Sequence, residues 1–455
     1  MRHLVLGAFA ALLFAPLSPC LANGNVLVIM ADDMGIELVA SYGVNPQPTR
    51  TPRIDALAAN GVRFKNAWGY SRCSPTRATV LTGRFGFHTG IGGNINDGQF
   101  GWGIQPYEQT VPETLNATHA TAYFGKWHIG NLSTGAELAP NVAGFEHFSG
   151  TLGLLRQDEE WWEWDKTVNG AVEHVVGYRT TDIVDDALEW IAGIGEPWYC
   201  VVGFNNPHPP LHVPPSHLTT YPHVPEANDK AKLYAMVEAM DTEIGRLLDS
   251  IDPVVMAETT VIFLGDNGTT AKGTVYEGGV HVPFIVAGAG VVGPGRVIQH
   301  VINTTDIHAT VAELNGIPTQ AYDLDSISFR PHLLDLPASH PLMQRVRKFA
   351  FTERFNPNLN PAGTAVPQQT HRAVRNINYK LIRRSTPFVS PSGDGVPAPP
   401  LVPYGNGGPP FEELYNVRQD PDELIDLLAI PGGLSPTDMA QYLILSAELD
   451  AILAD

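Results

Sequence analysis

Cysteine is scarce in this chain: its 455 residues hold three, Cys20, Cys73 and Cys200, too few for a disulfide framework to carry the fold. Positive charge is also short, with 28 Lys and Arg against 47 Asp and Glu and a formal charge of −19. Nucleic acid and anionic membrane repel such a chain, which excludes both as partners. Long apolar runs are missing as well. The most apolar stretch, Leu4–Leu17, falls short of the ~20 residues that span a bilayer, so no membrane insertion is expected. With Arg2 and His3 before it and Cys20-Leu21-Ala22 after it, that stretch reads as a signal peptide over residues 1–22. Pro19 ahead of Cys20 fits a lipoprotein signal poorly, so soluble export to a periplasm or the medium is expected. Arg2 is the only Lys, Arg, Asp or Glu in that segment, so its removal turns −19 into −20 and leaves Cys73 and Cys200.

What is present is ample material for a core. The length predicts one large α/β domain over residues 23–340 and a smaller companion over 341–455. Val26-Leu27-Val28-Ile29-Met30 is a short apolar run ending at Asp32-Asp33, the pattern of a parallel strand covered on both faces. Thr51 and Pro52 open a helix that Asn60-Gly61 closes, and Val62-Arg63-Phe64 follows as a strand. Tyr199–Phe204 and Thr260–Leu264 read as strands, with a helix over Lys232–Ser250 between them and another over Asp306–Leu314 beyond. Alternation of this kind predicts an α/β fold whose large, mostly parallel sheet carries helices on both faces. Ligands of such sheets collect at the carboxyl ends of the strands. Near the C-terminus, Arg345–Thr352 and Val374–Ile382 alternate as strands of a small antiparallel sheet, packed by a last helix that starts at Ser435-Pro436. The Pro/Gly-rich stretch from Pro387 to Pro410 reads as a surface loop.

Two oxygen-rich pairs end strands: Asp32-Asp33 and, in Gly265-Asp266-Asn267-Gly268, Asp266 and Asn267. Together they form an all-oxygen donor set suited to Ca²⁺ or Mg²⁺ and unsuited to a metal that prefers thiolate. Lys126 and His128 flank Trp127 just after the strand-like Thr121–Phe124. In extended chain those two project to one side, a spacing that gives one anion two donors. The string Cys73-Ser74-Pro75-Thr76-Arg77 is the most specific feature. Chance places Pro and Arg at those offsets from any of three cysteines only about once in a hundred such sequences.

That string fits the Cys-x-Pro-x-Arg signal by which type I sulfatases have their cysteine oxidised to formylglycine. The chain resembles this family, within the alkaline-phosphatase-like superfamily, over nearly all of its mature length. The matching blocks are Ala31-Asp32-Asp33-Met34-Gly35, the Cys73 string running on to Leu81-Thr82-Gly83-Arg84, Gly125-Lys126-Trp127-His128-Ile129-Gly130, Asn206-Pro207-His208-Pro209-Pro210, Gly265-Asp266-Asn267-Gly268 and Lys272-Gly273 with Glu277-Gly278-Gly279. Tyr379-Lys380-Leu381-Ile382 and Glu413-Leu414-Tyr415-Asn416 resemble the family's C-terminal strand and hairpin.

The resemblance implies a sulfatase acting on a small-molecule or carbohydrate sulfate ester. It implies a formylglycine at position 73, installed by a formylglycine-generating enzyme, and Ca²⁺ as cofactor with Mg²⁺ as the alternative. Asp32, Asp33, Asp266, Asn267 and the converted Cys73 would hold the metal. Arg77 would stabilise the hydrated aldehyde, Lys126 would bind sulfate, His128 would orient or deprotonate the nucleophile, and His208 with Lys272 would protonate the leaving oxygen. Two other readings stay open: a phosphonate monoester or phosphodiester hydrolase of the same superfamily, and an unmodified exported anion-binding protein.

Three departures bear on the substrate. Thr76 stands where Ser is usual, His281 where many relatives have Arg, and Arg53 where Asn is common. The last two are expected near the site. Trp161, Trp162 and Trp164 lie among Asp158, Glu159, Glu160, Glu163 and Asp165, either as a wall that stacks on a ring or as a hairpin packed on the body of the protein. Acidic neighbours disfavour a densely sulfated polymer.

Overall fold

The computed structural model describes residues 24–95, 103–130, 134–155, 158–221, 228–318, 324–359, 369–385 and 411–454. The expected signal peptide and the Pro387–Pro410 loop lie outside them. Ten strands form the main sheet: β1 (Asn25–Ala31), β2 (Gly61–Trp68), β3 (Ala120–Lys126), β4 (His147–Thr151), β5 (Glu163–Val168), β6 (Ala171–Val176), β7 (Trp198–Gly203), β8 (Thr259–Gly265), β9 (Phe284–Gly288) and β10 (Arg296–Asn303). Their spatial order is β10-β2-β9-β8-β1-β7-β3-β4-β5-β6. Only β9 and β5 run against the rest.

Alternation along β1 shows why the sheet needs cover on both sides. Val26, Val28 and Met30 enter one apolar layer with Ala78, Val80 and Leu81 of the helix Cys73–Thr82 and with Ile307 and Val311 of the helix Asp306–Leu314. Leu27, Ile29 and Ala31 enter the other, with Ile183 and Val184 of the helix Arg179–Gly193 and Val237, Met240 and Ile244 of the helix Asp229–Ser250. Each β1 side chain from Val26 to Ala31 is at most 1% exposed, so β1 is apolar without a break.

The second sheet is antiparallel, in the order β11 (Ala350–Asn356), β12 (Gln369–Arg375), β13 (Lys380–Arg384) and β14 (Phe411–Tyr415). The helix Pro436–Ile452 covers it through Leu445 and Leu449, capped by Ser435 Oγ, which accepts the Asp438 N–H. Lys380-Leu381-Ile382 pairs with Tyr415-Leu414-Glu413, so the two C-terminal blocks meet in one ladder.

Three local expectations are corrected. The strand expected at Arg345–Thr352 begins only at Ala350, because Arg347 is taken up by Asp306, its Nη2 and Nε lying 2.6 and 2.8 Å from the carboxylate oxygens. Val374–Ile382 is two strands, since Asn376 Oδ1 accepts the N–H groups of Asn378 and Tyr379 and so folds the chain between β12 and β13. Thr51 precedes the helix Pro52–Ala59, but its hydroxyl donates to Asp55 Oδ2 and accepts the Ala40 N–H, and caps no N–H of the helix.

Candidate active site

β1 and β8 are adjacent and in register, Ala31 opposite Gly265, so Asp32-Asp33 and Asp266-Asn267 leave the sheet side by side at its carboxyl edge. β7 and β3 are the next strands out; the first leads to His208 and the second ends on Lys126. From the other side, the loop after β2 delivers Cys73 as the first residue of the helix Cys73–Thr82. Thr76 Oγ1 accepts the Tyr70 N–H at 2.8 Å and fixes the turn that aims residue 73, which explains a hydroxyl at this position. Ser74 Oγ donates to the His128 carbonyl at 2.7 Å, tying that helix to the β3 end.

The sequence-predicted residues converge. Asp32, Asp33, Cys73 and His208 each bring a ligand atom within 4.8 Å of the others. Lys126 Nζ donates to Asp32 Oδ2 at 2.5 Å and Lys272 Nζ to Asp33 Oδ2 at 2.6 Å. Asn267 Nδ2 donates to Asp33 Oδ1 at 2.8 Å, and Cys73 Sγ lies 3.9 Å from the same oxygen. Asp266 stands against this group: its Oδ1 accepts the Asp33 N–H at 2.9 Å, and its Oδ2 accepts Arg77 Nε and Nη2 at 3.1 and 3.0 Å. Arg77 Nη1 donates to the Lys126 carbonyl and the Tyr123 hydroxyl, so its guanidinium holds the donor set together and its contacts are not with residue 73.

Lys126 and His128 were expected to project from extended chain. The strand stops at Lys126, and His128 turns left-handed at φ 60, which brings its ring inward while Trp127 enters the core. Asp33 is left-handed too, at φ 65. Such backbone costs on the order of 1–3 kcal/mol per residue and persists where the surroundings enforce it, commonly at working sites.

The charges are crowded and buried. Burial pushes Asp33 up, but Lys272, His208 and Lys126 outweigh it and hold the carboxyl below its ordinary range. Burial and the nearby Asp32 push Asp266 up to about 7 against the pull of Arg77 and Lys126. Burial and Asp32 push the Cys73 thiol well up, so an unconverted thiol here keeps its proton and is a poor nucleophile. Burial disfavours the Lys272 charge, yet Cys73, Asp33 and Asp32 hold its pKa above the ordinary value. Burial, then Lys126 and Arg77, drive His128 well down, and burial takes His208 to about 4 although Asp33 opposes it.

A cation fits this donor set. Asp32 Oδ1 and Asn267 Oδ1 are buried with no hydrogen-bond partner, Asp32 Oδ1 having only Arg77 Nη2 at 3.8 Å, and a buried oxygen without a hydrogen bond is costly unless something positive meets it closely. The carboxylates of Asp32, Asp33 and Asp266 crowd one place, all from oxygen-bearing side chains, the chemistry of a hard divalent ion.

The departures resolve differently. Arg53 makes a surface pair with Asp249 at 2.8 Å, and His281 lies between Glu277 and the Lys65 carbonyl; these partners, not the Cys73 cluster, hold them. The tryptophan segment is a hairpin, β5 with β6, with Trp161 and Trp164 buried. Sequence reasoning missed Arg179 and Thr151, which line a cavity whose wall includes Leu152, the residue whose carbonyl accepts the His128 N–H. Neither sits in a motif: the pairing of β3 with β4 brings Thr151 there, and Arg179 is held by the Trp164 ring and the Glu160 carbonyl.

Comparison with known proteins agrees with this geometry. A family model described as Sulfatase matches residues 24–317. The chain is 27% identical to human arylsulfatase A over 489 aligned positions, covering 94% of this chain and 88% of that one. It resembles the solved structure of Ps i-CgsB with a TM-score of 0.74 at 21% identity, covering 94% and 92% of the two chains. It also resembles that of BT4656 in complex with its substrate D-glucosamine-2-N,6-O-disulfate, with a TM-score of 0.70 at 19% identity, covering 94% and 97%. The cluster thus sits in the sheet shared with these structures, and the match of residues 24–317 settles the assignment: this chain belongs to the sulfatase family and is a sulfuric ester hydrolase.

Proposed function

We propose that the enzyme cleaves sulfate monoesters through a formylglycine made from Cys73 and a divalent cation, Ca²⁺ with Mg²⁺ as the alternative. Asp32, Asp33, Asp266 and Asn267 would hold the cation together with residue 73. One observation carries the reading: a cysteine at a helix N-terminus stands among acidic side chains, with buried Asp32 and Asn267 oxygens that make no hydrogen bond. When bound, the cation neutralises charge on the sulfate, and the hydrated aldehyde supplies one hydroxyl to attack sulfur and a second whose collapse releases the sulfate.

The chain's own residues supply the rest. Lys126 and Lys272, fixed on Asp32 and Asp33, present two ammonium groups to the sulfate oxygens. His128 is neutral, buried and unpartnered at both ring nitrogens, so it is free to accept a proton from the nucleophilic hydroxyl. His208 donates Nδ1–H to the Pro209 carbonyl, which leaves Nε2 facing Asp33 Oδ2 at 3.8 Å. Lys272 stays charged and holds a proton to give to the departing oxygen, whereas His208, neutral with Nε2 unprotonated in the free enzyme, acts as acid only once Nε2 has taken up a proton. Arg77 holds Asp266 in place and opposes the rise in its pKa.

The same reading includes export to a periplasm or the medium, conversion by a formylglycine-generating enzyme, a catalytic domain over 23–340 and an appended subdomain over 341–455. The described residues contain no helix long and apolar enough to cross a membrane. The sugar substrate of BT4656, and the neocarrahexaose bound in a structure of Ps i-CgsB, favour a carbohydrate sulfate. Parallel assays on the sulfate and phosphate esters of one alcohol, run with Cys73→Ala as control, test the assignment. Faster sulfate hydrolysis that vanishes in the variant is expected, and faster phosphate hydrolysis overturns it.

A further inference from the structure

Beside the Cys73 cluster lies a cavity of about 710 Å³, and Thr151, Leu152, Trp164 and Arg179 form part of its wall. No residue of the Cys73 cluster lines it; its link to that cluster is through the wall, where the carbonyls of Thr151 and Leu152 accept the N–H groups of Trp127 and His128 at 2.9 and 3.0 Å. Its volume suits a ligand of one or two rings. Arg179, the first residue of its helix, is 2% exposed. Its guanidinium lies over the Trp164 ring, 4.0 Å from the centroid, with Nε donating to the Glu160 carbonyl at 3.0 Å and Nη1 reaching Thr151 Oγ1 at 3.4 Å. Among the described residues Arg179 forms no ion pair. Burial brings its pKa down to about 9, with Glu160 and Asp182 opposing from a distance. A buried, stacked, planar guanidinium with unused donors matches a carboxylate, which accepts two parallel hydrogen bonds from that fork.

The mouth of the cavity has the opposite character. Glu163 and Asp165 line it with side chains 64% and 73% exposed, sharing His174 between them, and the exposed Glu137 lines it as well. One anionic group is welcome at the floor, and further ones meet carboxylates at the rim.

We propose that this cavity holds the alcohol half of the sulfate ester and that Arg179 binds one carboxylate on it, which makes the substrate class small monosulfated carboxylic acids. The inference rests on the sulfatase reading, since it places the ester beside His128. Arg179 acts here on specificity.

The test compares phenyl sulfate with ortho-, meta- and para-carboxyphenyl sulfate on the converted enzyme. The wild type favours at least one isomer by about tenfold or more in kcat/KM, the scale set by one hydrogen-bonded group in a built pocket. Arg179→Gln abolishes that preference through KM while phenyl sulfate turnover stays within about twofold. Arg179→Lys, which keeps the buried charge and the stem, retains part of the preference and serves alone should the glutamine variant not fold. No preference in the wild type, or equal losses on phenyl sulfate and on the isomers, overturns the inference. Calorimetry with the corresponding hydroxybenzoates needs no turnover. Binding lost in Arg179→Gln supports the pocket even where no ester is cleaved, and equal binding by both proteins refutes it.

Discussion

Lys272 Nζ stands 2.6 Å from Asp33 Oδ2, a contact across 239 positions of chain, and His208 Nε2 lies 3.8 Å from the same oxygen. One carboxylate oxygen thus gathers both groups that can send a proton to the leaving alcohol. An alkyl leaving group needs that proton, whereas a nitrophenolate departs without it. His208→Ala is expected to lower kcat on an alkyl sulfate by about 10²–10⁴-fold, and on nitrophenyl sulfate by much less. Equal losses on the two esters would remove His208 from the acid role.

Arg77 and Asp266 make a prediction about stability. Both are at most 1% exposed and are joined by two hydrogen bonds at 3.0 and 3.1 Å. Arg77→Leu leaves buried carboxylates without their guanidinium, a change expected to cost about 3–5 kcal/mol in urea unfolding. The double variant Arg77→Leu/Asp266→Asn removes the stranded charge and regains part of the loss. A single variant that unfolds at the wild-type midpoint contradicts this role.

Loading with a divalent ion is expected to raise the melting temperature independently of activity. Asn267 Oδ1 and Asp32 Oδ1 make no hydrogen bond, the latter facing only Arg77 Nη2 at 3.8 Å, and a bound cation gives both a close partner. At a hundredfold excess over Kd the linkage is about 2.7 kcal/mol. A chelator lowers the transition, and adding back Ca²⁺ or Mg²⁺ restores it. Asp32→Asn shrinks the response, and a transition that ignores both chelator and metal rules out the site.

Acid should destabilise the fold well before most carboxylates titrate. Burial holds His308, His332 and His371 down at about 4, against 6.5 when unfolded. Between those values the unfolded chain binds more protons, so their contribution is full above pH 6.5 and is lost as pH falls through 4. Asp241 and Glu353, pushed up to about 7 by burial, act in the opposite sense: their contribution is full below ordinary carboxylate values and is lost as pH rises through 7. His308→Gln isolates one group. It should flatten the stability profile between pH 6.5 and 4 by up to on the order of 3 kcal/mol, read by urea unfolding at a series of pH values. An unchanged slope contradicts the assignment.

The parts of the fold legible in the sequence were those with a single strong signal. β1, β7 and β8 are unbroken apolar runs, and the helix Asp229–Ser250 repeats its apolar residues every three to four positions. β12 and β13 merged into one expected strand because Ile377 and Tyr379 carry apolar residues on through the turn, although the break in alternation at Arg375-Asn376 and the two asparagines were a readable turn signal. Arg347 alternated like a strand residue, while its fate was decided by Asp306, a partner distant in sequence. The site was legible because its chemistry repeats as local strings around Asp32, Cys73, Lys126, His208 and Asp266. Arg179 was not legible, since its meaning comes from the Trp164 ring beneath it and from the β3–β4 pairing that sets Thr151 next to Trp127.

Mass spectrometry of the tryptic peptide containing residue 73, from protein made in a host with a formylglycine-generating enzyme, bears most directly on the whole account. An aldehyde in place of the thiol is expected, its occupancy rising in step with sulfatase turnover across preparations, and none in Cys73→Ala. Full turnover from protein whose Cys73 remains entirely a thiol would contradict it.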